Sequence, residues 1–490
     1  MSSNPILPRI NSGLAHFGAG IAQFHWLKTS KPGLPQPNLH ELYLHPEWLP
    51  EKVAASPEAR HCLDLLGPLD WGNFPERDLQ RNWGQEATPY AAFAAACLFK
   101  VDQQLPSFAR LDGYLRDHPE MAWLLGFPCH NAGKDSFEPE LPSPRHFPRL
   151  LHKMPNDCLQ FLLGSSIQAL FAEFQHRTII ASETVSLDTK HILAWVKENN
   201  PKTYIKSDRF NKQKQPAGDP DCKLGCKRRH NKRASSKEPP ATPASNPVPA
   251  DTISVGEFYW GYASGVVACQ VPGWGEFVLA ELTQPFDQPD VSYFFPLMGI
   301  TEQRLGYKPR FGALDAAFDA WYVYDYFYNP GQPGFAAIPF SERGGVKGRK
   351  FAQDGSPFCQ AQLLMPLNYE FTCHTSFIEH QVQRYACPLL HPKPTGQKCP
   401  VDHKNFTGKG CTATLPASMG SRLRYTIDRD SQEYKDVYRQ RTAVERINSQ
   451  AKELGIERPH LRNGLAIANL NTLIYTVINL RLLQRIRQRA

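Results

Sequence analysis

The sequence predicts an α/β protein with a mixed sheet, preceded by a helical region and interrupted by an inserted, β-rich segment. Runs rich in β-branched and aromatic residues recur at 178–192, 257–284 and 309–340, which is typical of strands. Apolar residues recur at three- and four-residue spacing over 89–127, which indicates two or three packed helices. The chain of 490 residues is too long for one core of ordinary size, so two or three domains are expected.

Bulk composition excludes some classes of protein. At 41% hydrophobic and 11% aromatic residues the chain can bury real cores, which excludes whole-chain disorder. The net charge of +8 favours polyanionic partners only weakly, because many enzymes are equally basic. The amino terminus lacks the pattern of a secretory signal, and the 12 cysteines then indicate reduced thiols in a cytoplasm.

The most apolar late stretch, 465–483, is expected to be a packed helix and not a membrane span. Four polar residues interrupt it, and each would be costly in lipid. They are Asn469, Asn471, Asn479 and Arg481. We therefore expect no membrane partner and a cytoplasmic location.

The region before residue 178 is expected to be largely helical. Residues 1–76 are interpreted as irregular with short helices, and residues 77–177 as a small helical domain. Ser143 is a candidate cap for a basic helix over 143–154. This helix bears Arg145, Arg149, His152 and Lys153. A plain helical domain is the simpler interpretation, and DNA binding through this helix is the alternative.

Two aspartates fall at or near predicted strand ends within residues 178–340. β-branched residues run up to Asp188, and a short strand over 309–315 ends at Asp315 before a helix. The runs 257–270 and 276–284 are expected to pair as a hairpin. Another buried strand is expected at 335–340, so side chains from separate strands of one mixed sheet can converge on a site.

Residues 200–250 differ sharply in composition from their surroundings. They are basic at first and Pro/Ala/Ser-rich later, so they are expected to be a mobile excursion that buries no core. Two interpretations stay open: a solvated linker, or a contact to the DNA backbone. In the second, the run Lys227-Arg228-Arg229 would neutralise phosphates.

Residues 341–430 are interpreted as an inserted, β-rich subdomain containing five cysteines. These are Cys359, Cys373, Cys387, Cys399 and Cys411. No pair has tight C-x2-C spacing, although 387–403 offers two cysteines and two histidines. Free buried thiols are favoured over zinc, which stays the alternative. Residues 431–490 return to helix, with a break near Pro459.

The stretch YRQRTAVERINSQAK, residues 438–452, carries the strongest signal. At about 100° per residue, one helical face would hold an aromatic residue, an amide and three charged residues. They are Tyr438, Arg441, Glu445, Asn448 and Lys452. The flank formed by Val444, Ile447 and Ala451 would pack inward. A surface ion pair between Arg441 and Glu445 is the plain interpretation, but the mixture indicates a site beside a packed face.

One carboxylate alone holds Mg²⁺ poorly, because this cation prefers octahedral oxygen coordination from several ligands. Asp188 and Asp315 would supply further acids. Three carboxylates gathered without a cation would repel each other and raise one another's pKa, so their convergence would imply a bound metal. Two such ions activate an attacking oxygen and stabilise the leaving oxygen in phosphodiester chemistry.

The motif Y-x2-R-x3-E-x6-K, formed by Tyr438, Arg441, Glu445 and Lys452, resembles the third-acid signature of a large branch of bacterial insertion-sequence transposases of the DDE class. Such a motif should occur by chance in roughly one chain of this length in several hundred. The sequences around Asp188 and Asp315 are similar to the first and second acids of that family.

The resemblance implies a ribonuclease-H-like catalytic core made of residues 178–340 and 431–490, with the insertion 341–430 and a DNA-binding domain at 77–177. It implies that Asp188, Asp315 and Glu445 are catalytic and hold two Mg²⁺ ions, for which Mn²⁺ can substitute. Tyr438, Arg441 and Lys452 would contact DNA phosphates near the cut end. The expected partners are transposon ends and target DNA, with a homodimer assembled on DNA.

Two departures from the family pattern stand out. Phe318 occupies a position where tyrosine is expected, and the 200–250 excursion is longer than expected. Two other functions remain open: a ribonuclease-H-like nuclease not involved in transposition, and a transposase-derived DNA-binding protein that does not cleave.

Overall fold

The computed structural model describes residues 37–79, 87–130, 138–200, 213–227, 257–341, 350–374, 376, 378–401 and 408–489. Eight helices lie before residue 178 in the described part of the chain. They are α1 (Leu39–Leu44), α2 (Glu51–Ala55), α3 (Pro57–Leu66), α4 (Tyr90–Asp102), α5 (Phe108–Asp117), α6 (Pro119–Leu124), α7 (His146–Leu151) and α8 (Asn156–Arg177). A two-residue antiparallel pair, β1 (Cys129–His130) and β2 (Glu138–Pro139), lies between α6 and α7.

Local sequence explains where these helices begin. Asn38 caps α1 in a capping box with Glu41, and the side chains of Ser56 and Ser107 cap α3 and α5. The sequence predicted two or three helices over 89–127, and the structure has three, α4, α5 and α6. The short helices predicted within the irregular region 1–76 are present over 37–76 as α1, α2 and α3, and residues 1–36 lie outside the described part.

The predicted cap of the basic helix was wrong. α7 begins at His146, its N-cap is Arg145 without a side-chain cap, and the backbone carbonyl of Ser143 accepts a hydrogen bond from the His146 N–H at 2.7 Å. The reason is local: the chain forms a turn over 143–146, so the Ser143 side chain stands too far before the first helical turn to cap it.

The main sheet has six strands and is mixed, as predicted. The strands are β3 (Thr184–Leu193), β4 (Lys223–Lys227), β5 (Glu257–Val271), β6 (Gly275–Pro285), β7 (Phe311–Leu314) and β8 (Phe335–Ala337). Their order is β4-β5-β3-β7-β8, with β6 also paired to β5. β3 is therefore central: it runs antiparallel to β5 and parallel to β7. The predicted β5–β6 hairpin is confirmed.

The excursion predicted for 200–250 was partly wrong. Residues 223–227 form β4 and pair with residues 257–261 at the start of β5. Cys222 and Leu224 are buried, and buried Asp219 accepts a hydrogen bond from the Tyr262 hydroxyl at 2.7 Å. This short segment alternates apolar and polar residues although its neighbours are basic, so the average composition concealed a strand. Residues 201–212 and 228–250 lie outside the described part.

Helices cover both faces of the sheet. Those after β6 are α9 (Phe294–Leu305), α10 (Trp321–Phe327), α11 (Met419–Thr426), α12 (Gln432–Arg439), α13 (Thr442–Glu453) and α14 (Gly464–Gln488). One core joins Val266 and Ala268 of β5 to α13, α14 and the amino-terminal helices. A second core joins Leu187 and Val267 to α8, α9 and α10. The amino-terminal helices therefore share their core with the sheet.

α14 is the central helix of the first core. It is long and apolar enough to cross a membrane by length and composition, but 78% of its most apolar window is buried inside the protein. A core helix of a soluble protein passes the same test, so the finding is compatible with a soluble protein. Its buried Asn469 donates to the carbonyls of Leu151 and Met154 at 2.7 and 2.9 Å.

The segment between β8 and α11 forms a small three-stranded antiparallel sheet. Its strands are β9 (Leu367–Cys373), β10 (His380–Tyr385) and β11 (Ala413–Pro416), with β10 in the middle. The core of this sheet contains five buried residues, among them Cys359 and Tyr385. None of the 12 cysteines, all of which lie in the described part of the chain, is joined to another by a disulfide.

Asn479 joins α14 to the sheet in a specific way. Its side-chain amide donates to the Val278 carbonyl at 2.9 Å, and its side-chain oxygen accepts from the Val278 N–H at 2.7 Å. β6 pairs with β5 on its other edge. At this buried edge, Asn479 therefore supplies the backbone hydrogen bonds that a further strand would otherwise make.

Replacing Asn479 with leucine should lower the free energy of unfolding by roughly 2–4 kcal/mol, because two buried backbone groups of Val278 would lose their partners. Urea unfolding followed by circular dichroism measures this. Gln488→Leu, on the exposed last turn of the same helix, is the matched control and should change the midpoint little. Equal stability of the Asn479→Leu and wild-type proteins would contradict this role.

Candidate active site

Asp188 and Asp315 come from neighbouring parallel strands. Leu187 of β3 is in register with Leu314 of β7, so each aspartate directly follows a paired leucine. Asp315 lies just after β7, as predicted, where its carboxylate caps the 3-10 turn Ala316–Phe318 by accepting from the Ala317 N–H at 2.8 Å. Asp188 lies inside β3 and not at its end, because β3 continues to Leu193 in its pairing with β5.

The pKa values of both aspartates are raised. Burial raises the pKa of Asp188 to about 6, and the charges of Asp315 and Asp290 add to the effect. Burial also raises the pKa of Asp315, and Asp290 acts in the same direction. In both cases Arg441 works against the rise. The two carboxylates and the guanidinium therefore lie close enough to interact electrostatically.

The single helix predicted across the signature was wrong. α12 ends at Arg439 and α13 begins at Thr442, with Gln440 and Arg441 in a turn between them. Successive i to i−3 backbone hydrogen bonds tighten the chain there, from Arg441 to Tyr438 and from Ala443 to Gln440, each at 3.0 Å. Tyr438 therefore belongs to another helix than Glu445.

Side-chain contacts at this break tie it to the sheet. The Ser182 hydroxyl donates to the side-chain oxygen of Gln440 just before β3. Arg446 donates to buried Glu276 of β6 at 2.5 Å. The inward flank of α13 was predicted correctly, because Val444, Ile447 and Ala451 are all buried. The break thus presents Arg441 to the acids while α13 stays packed on β5.

Arg441 is the cation of the site. Burial opposes its charge, yet its pKa is raised because the carboxylates of Asp188 and Glu445 favour the charged form. It forms an ion pair with Glu445, whose side chain is half exposed. Among the described residues, the Nε of Arg441 is buried and has no hydrogen-bond partner. A buried donor of this kind is available to an incoming acceptor.

Asn448 and Tyr438 also lie at this cluster. The Asn448 amide donates to Asp188 Oδ2 at 3.1 Å, while its own Oδ1 is buried without a partner in the described part of the chain. Burial raises the pKa of Tyr438. The charge of Arg441 lowers this pKa, and the carboxylates of Asp315 and Glu445 raise it further. All of these side chains share one electrostatic environment.

Lys452 is linked through the carboxylate of Glu457 to β3, the strand that carries Asp188. Its ammonium is 3.7 Å from Glu457 Oε2, and Lys190 of β3 contacts the other oxygen of the same carboxylate at 2.6 Å. Side chains alternate along a strand, so Lys190 is on the same face of β3 as Asp188. Lys190 and Lys452 thus extend positive charge along the edge of the site.

Asp290 belongs to the site and was missed by sequence reasoning. It begins a 3-10 turn, Asp290–Tyr293, and accepts a hydrogen bond from the Thr189 hydroxyl at 2.7 Å. Its charge raises the pKa of both Asp188 and Asp315. The available signal was the position of Pro289-Asp290 soon after a predicted strand, but neither periodicity nor the family motif marks it.

The other predicted DNA-binding residues lie away from these acids in sequence and element. Arg145 and Arg149 are exposed at the start of α7 and within it, and Arg77 and Arg149 both lower the pKa of His146 beyond the effect of burial. Neither is among the principal charges acting on Asp188. Lys227 ends β4, and Arg228 and Arg229 lie outside the described residues.

The donor set can be tested against a divalent cation. Asp188 and Asp315 are partly buried carboxylates that repel each other, and the Asn448 amide oxygen near Asp188 lacks a partner among the described residues. This set of oxygen atoms fits a hard, oxygen-preferring cation. The described residues contain no group of three acidic, His or Cys side chains already arranged to hold a metal. Glu445 differs from the two aspartates, because it forms an ion pair with Arg441.

Comparison with protein-family models, with curated proteins and with solved structures finds no match to this chain. The function therefore has to be argued from the site itself.

Replacing Asp188 with asparagine should stabilise the metal-free protein at high pH. The folded-state pKa of about 6 exceeds the usual 3.8, so the wild-type protein loses stability as pH rises between these values and Asp188 ionises. The variant lacks this loss. Its free energy of unfolding should exceed that of the wild type by roughly 1–3 kcal/mol near pH 8, and the difference should shrink towards pH 4.

Urea titrations in EDTA at both pH values measure this difference. Asp64→Asn, on the exposed face of α3, is the matched control and should show no such pH-dependent gain. A loss of stability in Asp188→Asn at high pH would show that the carboxylate is well solvated or fully compensated by Arg441.

Proposed function

We propose that this protein is a DDE transposase of an insertion sequence, which binds terminal inverted repeats and catalyses metal-dependent cleavage and strand transfer of DNA. One observation carries the proposal. Two aspartates far apart in sequence meet on adjacent strands, and the arginine of the signature containing Glu445 lies beside them. Nothing in ordinary packing requires a sheet to gather two carboxylates.

The fold supports a ribonuclease-H-like core. The central strand β3 carries Asp188, its parallel neighbour β7 leads into Asp315, and α13 with Glu445 packs across the same sheet. The insertion between the second and third acids matches the plan implied by the family resemblance. The finer classification stays part of this proposal.

In this function, Asp188, Asp315 and Glu445 would hold Mg²⁺ or Mn²⁺. When bound, the metal supplies activation of the attacking oxygen and stabilisation of the leaving oxygen. The raised pKa of Asp188 means that a proton competes for this ligand below about pH 6.

Arg441 has two roles in the proposed reaction. In the structure it neutralises the carboxylates and holds Glu445 by an ion pair. Its guanidinium is suited to bidentate contact with phosphate, and its buried Nε is unused among the described residues. A DNA phosphate would therefore replace Glu445 as its partner, and Glu445 would be released towards the aspartates.

The remaining residues position DNA. Tyr438 would contact the backbone beside Arg441, and Lys452 and Lys190 would attract the flanking phosphates as point charges. Exposed Arg145 and Arg149 would serve a separate contact through α7. Joining two ends requires two active sites, so a homodimer on DNA is expected, in the bacterial cytoplasm near the nucleoid.

Asp188→Asn, Asp315→Asn and Glu445→Gln should each reduce cleavage of DNA carrying the element's ends by about a hundredfold or more, because each removes a charged metal ligand. Binding of the same DNA should change little. Gel assays of nicking with Mg²⁺, and electrophoretic mobility shifts in EDTA, measure the two quantities separately.

Glu433→Gln is the matched control, since Glu433 is an exposed acid on α12 in the same carboxy-terminal region. It should leave cleavage unchanged. Near wild-type cleavage by any of the three acid variants would remove that residue from the site. Nicking without joining of ends would favour a nuclease, and binding without nicking would favour a protein that has lost transposase catalysis.

A further inference from the structure

Three of the five cysteines in the inserted subdomain, Cys359, Cys387 and Cys411, lie at one end of its small sheet although they are widely separated in sequence. A fourth, Cys399, acts electrostatically on Cys411. Cys411 is close enough to Cys359, Cys387 and Cys399 for all three thiols to interact with it electrostatically. Cys373, the fifth, lies at the far end of β9 and is not among these neighbours. The sequence spacing gave no sign of this grouping.

The pairing of β10 with β11 explains the position of two of the thiols. Tyr385 is opposite Ala413 in this antiparallel pair, so Cys387 and Cys411 each lie two residues beyond the same end of the ladder. The Cys387 side chain packs against Gly410. A Cβ placed on Gly410 would lie 2.6 Å from Cys387 Cβ and 3.2 Å from its sulfur. Gly410 also has a positive φ of 71°, so glycine is required there on two grounds.

A tight turn brings Cys359 to the same place. The Gln362 N–H donates to the Cys359 carbonyl at 3.0 Å, and the turn places the Gln360 backbone so that it hydrogen-bonds the Cys411 sulfur. Cys359 and Cys411 also belong to one small apolar cluster with Tyr385 and Ala413. Burial raises the pKa of the Cys411 thiol, and the hydrogen bond from the Gln360 backbone offsets part of this rise.

We propose that Cys359, Cys387, Cys399 and Cys411 bind one structural zinc ion as a four-thiolate site. Four soft sulfur ligands are the donor set that selects zinc, and when all four bind they leave no coordination position open for catalysis. On binding, thiols lose their protons to solvent as the Zn–S bonds form. No redox partner is needed.

The small size of the subdomain is a reason why a bound zinc ion would stabilise it. Five buried residues form its own core, which is small for a three-stranded sheet that must hold its shape. Among the described residues no three ligands already stand at coordination distance, so zinc binding requires the four thiols to move closer together. The set differs from the zinc alternative within 387–403, because Cys359 and Cys411 replace the histidines.

The test uses the full-length protein purified under reducing conditions from zinc-supplemented cells. Inductively coupled plasma mass spectrometry should find about one zinc per chain, and Cys411→Ser and Cys387→Ser should reduce this content at least fivefold. Cys373→Ser is the matched control in the same subdomain and should keep the full content. Replacement by Co²⁺ should give the strong visible absorption of a tetrahedral thiolate site.

Cys411→His guards against simple misfolding, because histidine is also a zinc ligand and should retain more metal than serine does. Wild-type protein with less than about a fifth of an equivalent of zinc would overturn the proposal. So would equal zinc loss in Cys373→Ser and Cys411→Ser. A disulfide among the four proposed ligands that persists in protein purified under reducing conditions would overturn it as well. None of these results bears on the acids of the candidate active site.

Discussion

The structure depends on how the protein tolerates two carboxylates placed side by side on adjacent strands. Register alone brings Asp188 and Asp315 together, because β3 and β7 pair in parallel just before them. Their repulsion and burial cost free energy, and Arg441 offsets part of it. The break between α12 and α13 follows from this constraint, since a guanidinium must reach the acids while the apolar flank of α13 stays on β5.

A buried polar network supports β5, the strand that pairs with β3 at Asp188. Glu281 of β6 is buried, its pKa is raised to about 7 by burial, and it accepts hydrogen bonds from Thr472 of α14 and from Ser264 of β5. The Ser264 hydroxyl oxygen is also 3.3 Å from the Tyr475 hydroxyl oxygen, and Asp188 acts electrostatically on that tyrosine. The central helix and the site are thus connected through hydrogen-bonding groups, so α14 orients β5 behind Asp188 more rigidly than apolar contact alone would.

Sequence reasoning predicted what depends on periodicity and on the order of elements. It found the hairpin of β5 and β6, the strand before Asp315, and the buried flank Val444, Ile447 and Ala451. It missed β4 because a few alternating residues were hidden in a basic segment. It missed the break at Gln440 because both residues of the turn keep helical dihedral angles. Asp290 and the four clustered thiols depend on tertiary contacts, which a single sequence does not reveal.

The Arg441–Glu445 pair links DNA binding to metal binding within the proposed function. Glu445 cannot serve as a full metal ligand while it neutralises Arg441, and a phosphate bound to Arg441 would compete with Glu445 for the same positive charge. A phosphate at Arg441 therefore frees the third acid, and a cation at the aspartates removes part of the attraction that holds Arg441 in place. By thermodynamic linkage each ligand raises the affinity for the other. In the proposed function the metal site would then be completed chiefly on bound DNA, and cleavage would be restricted to DNA already seated in the site.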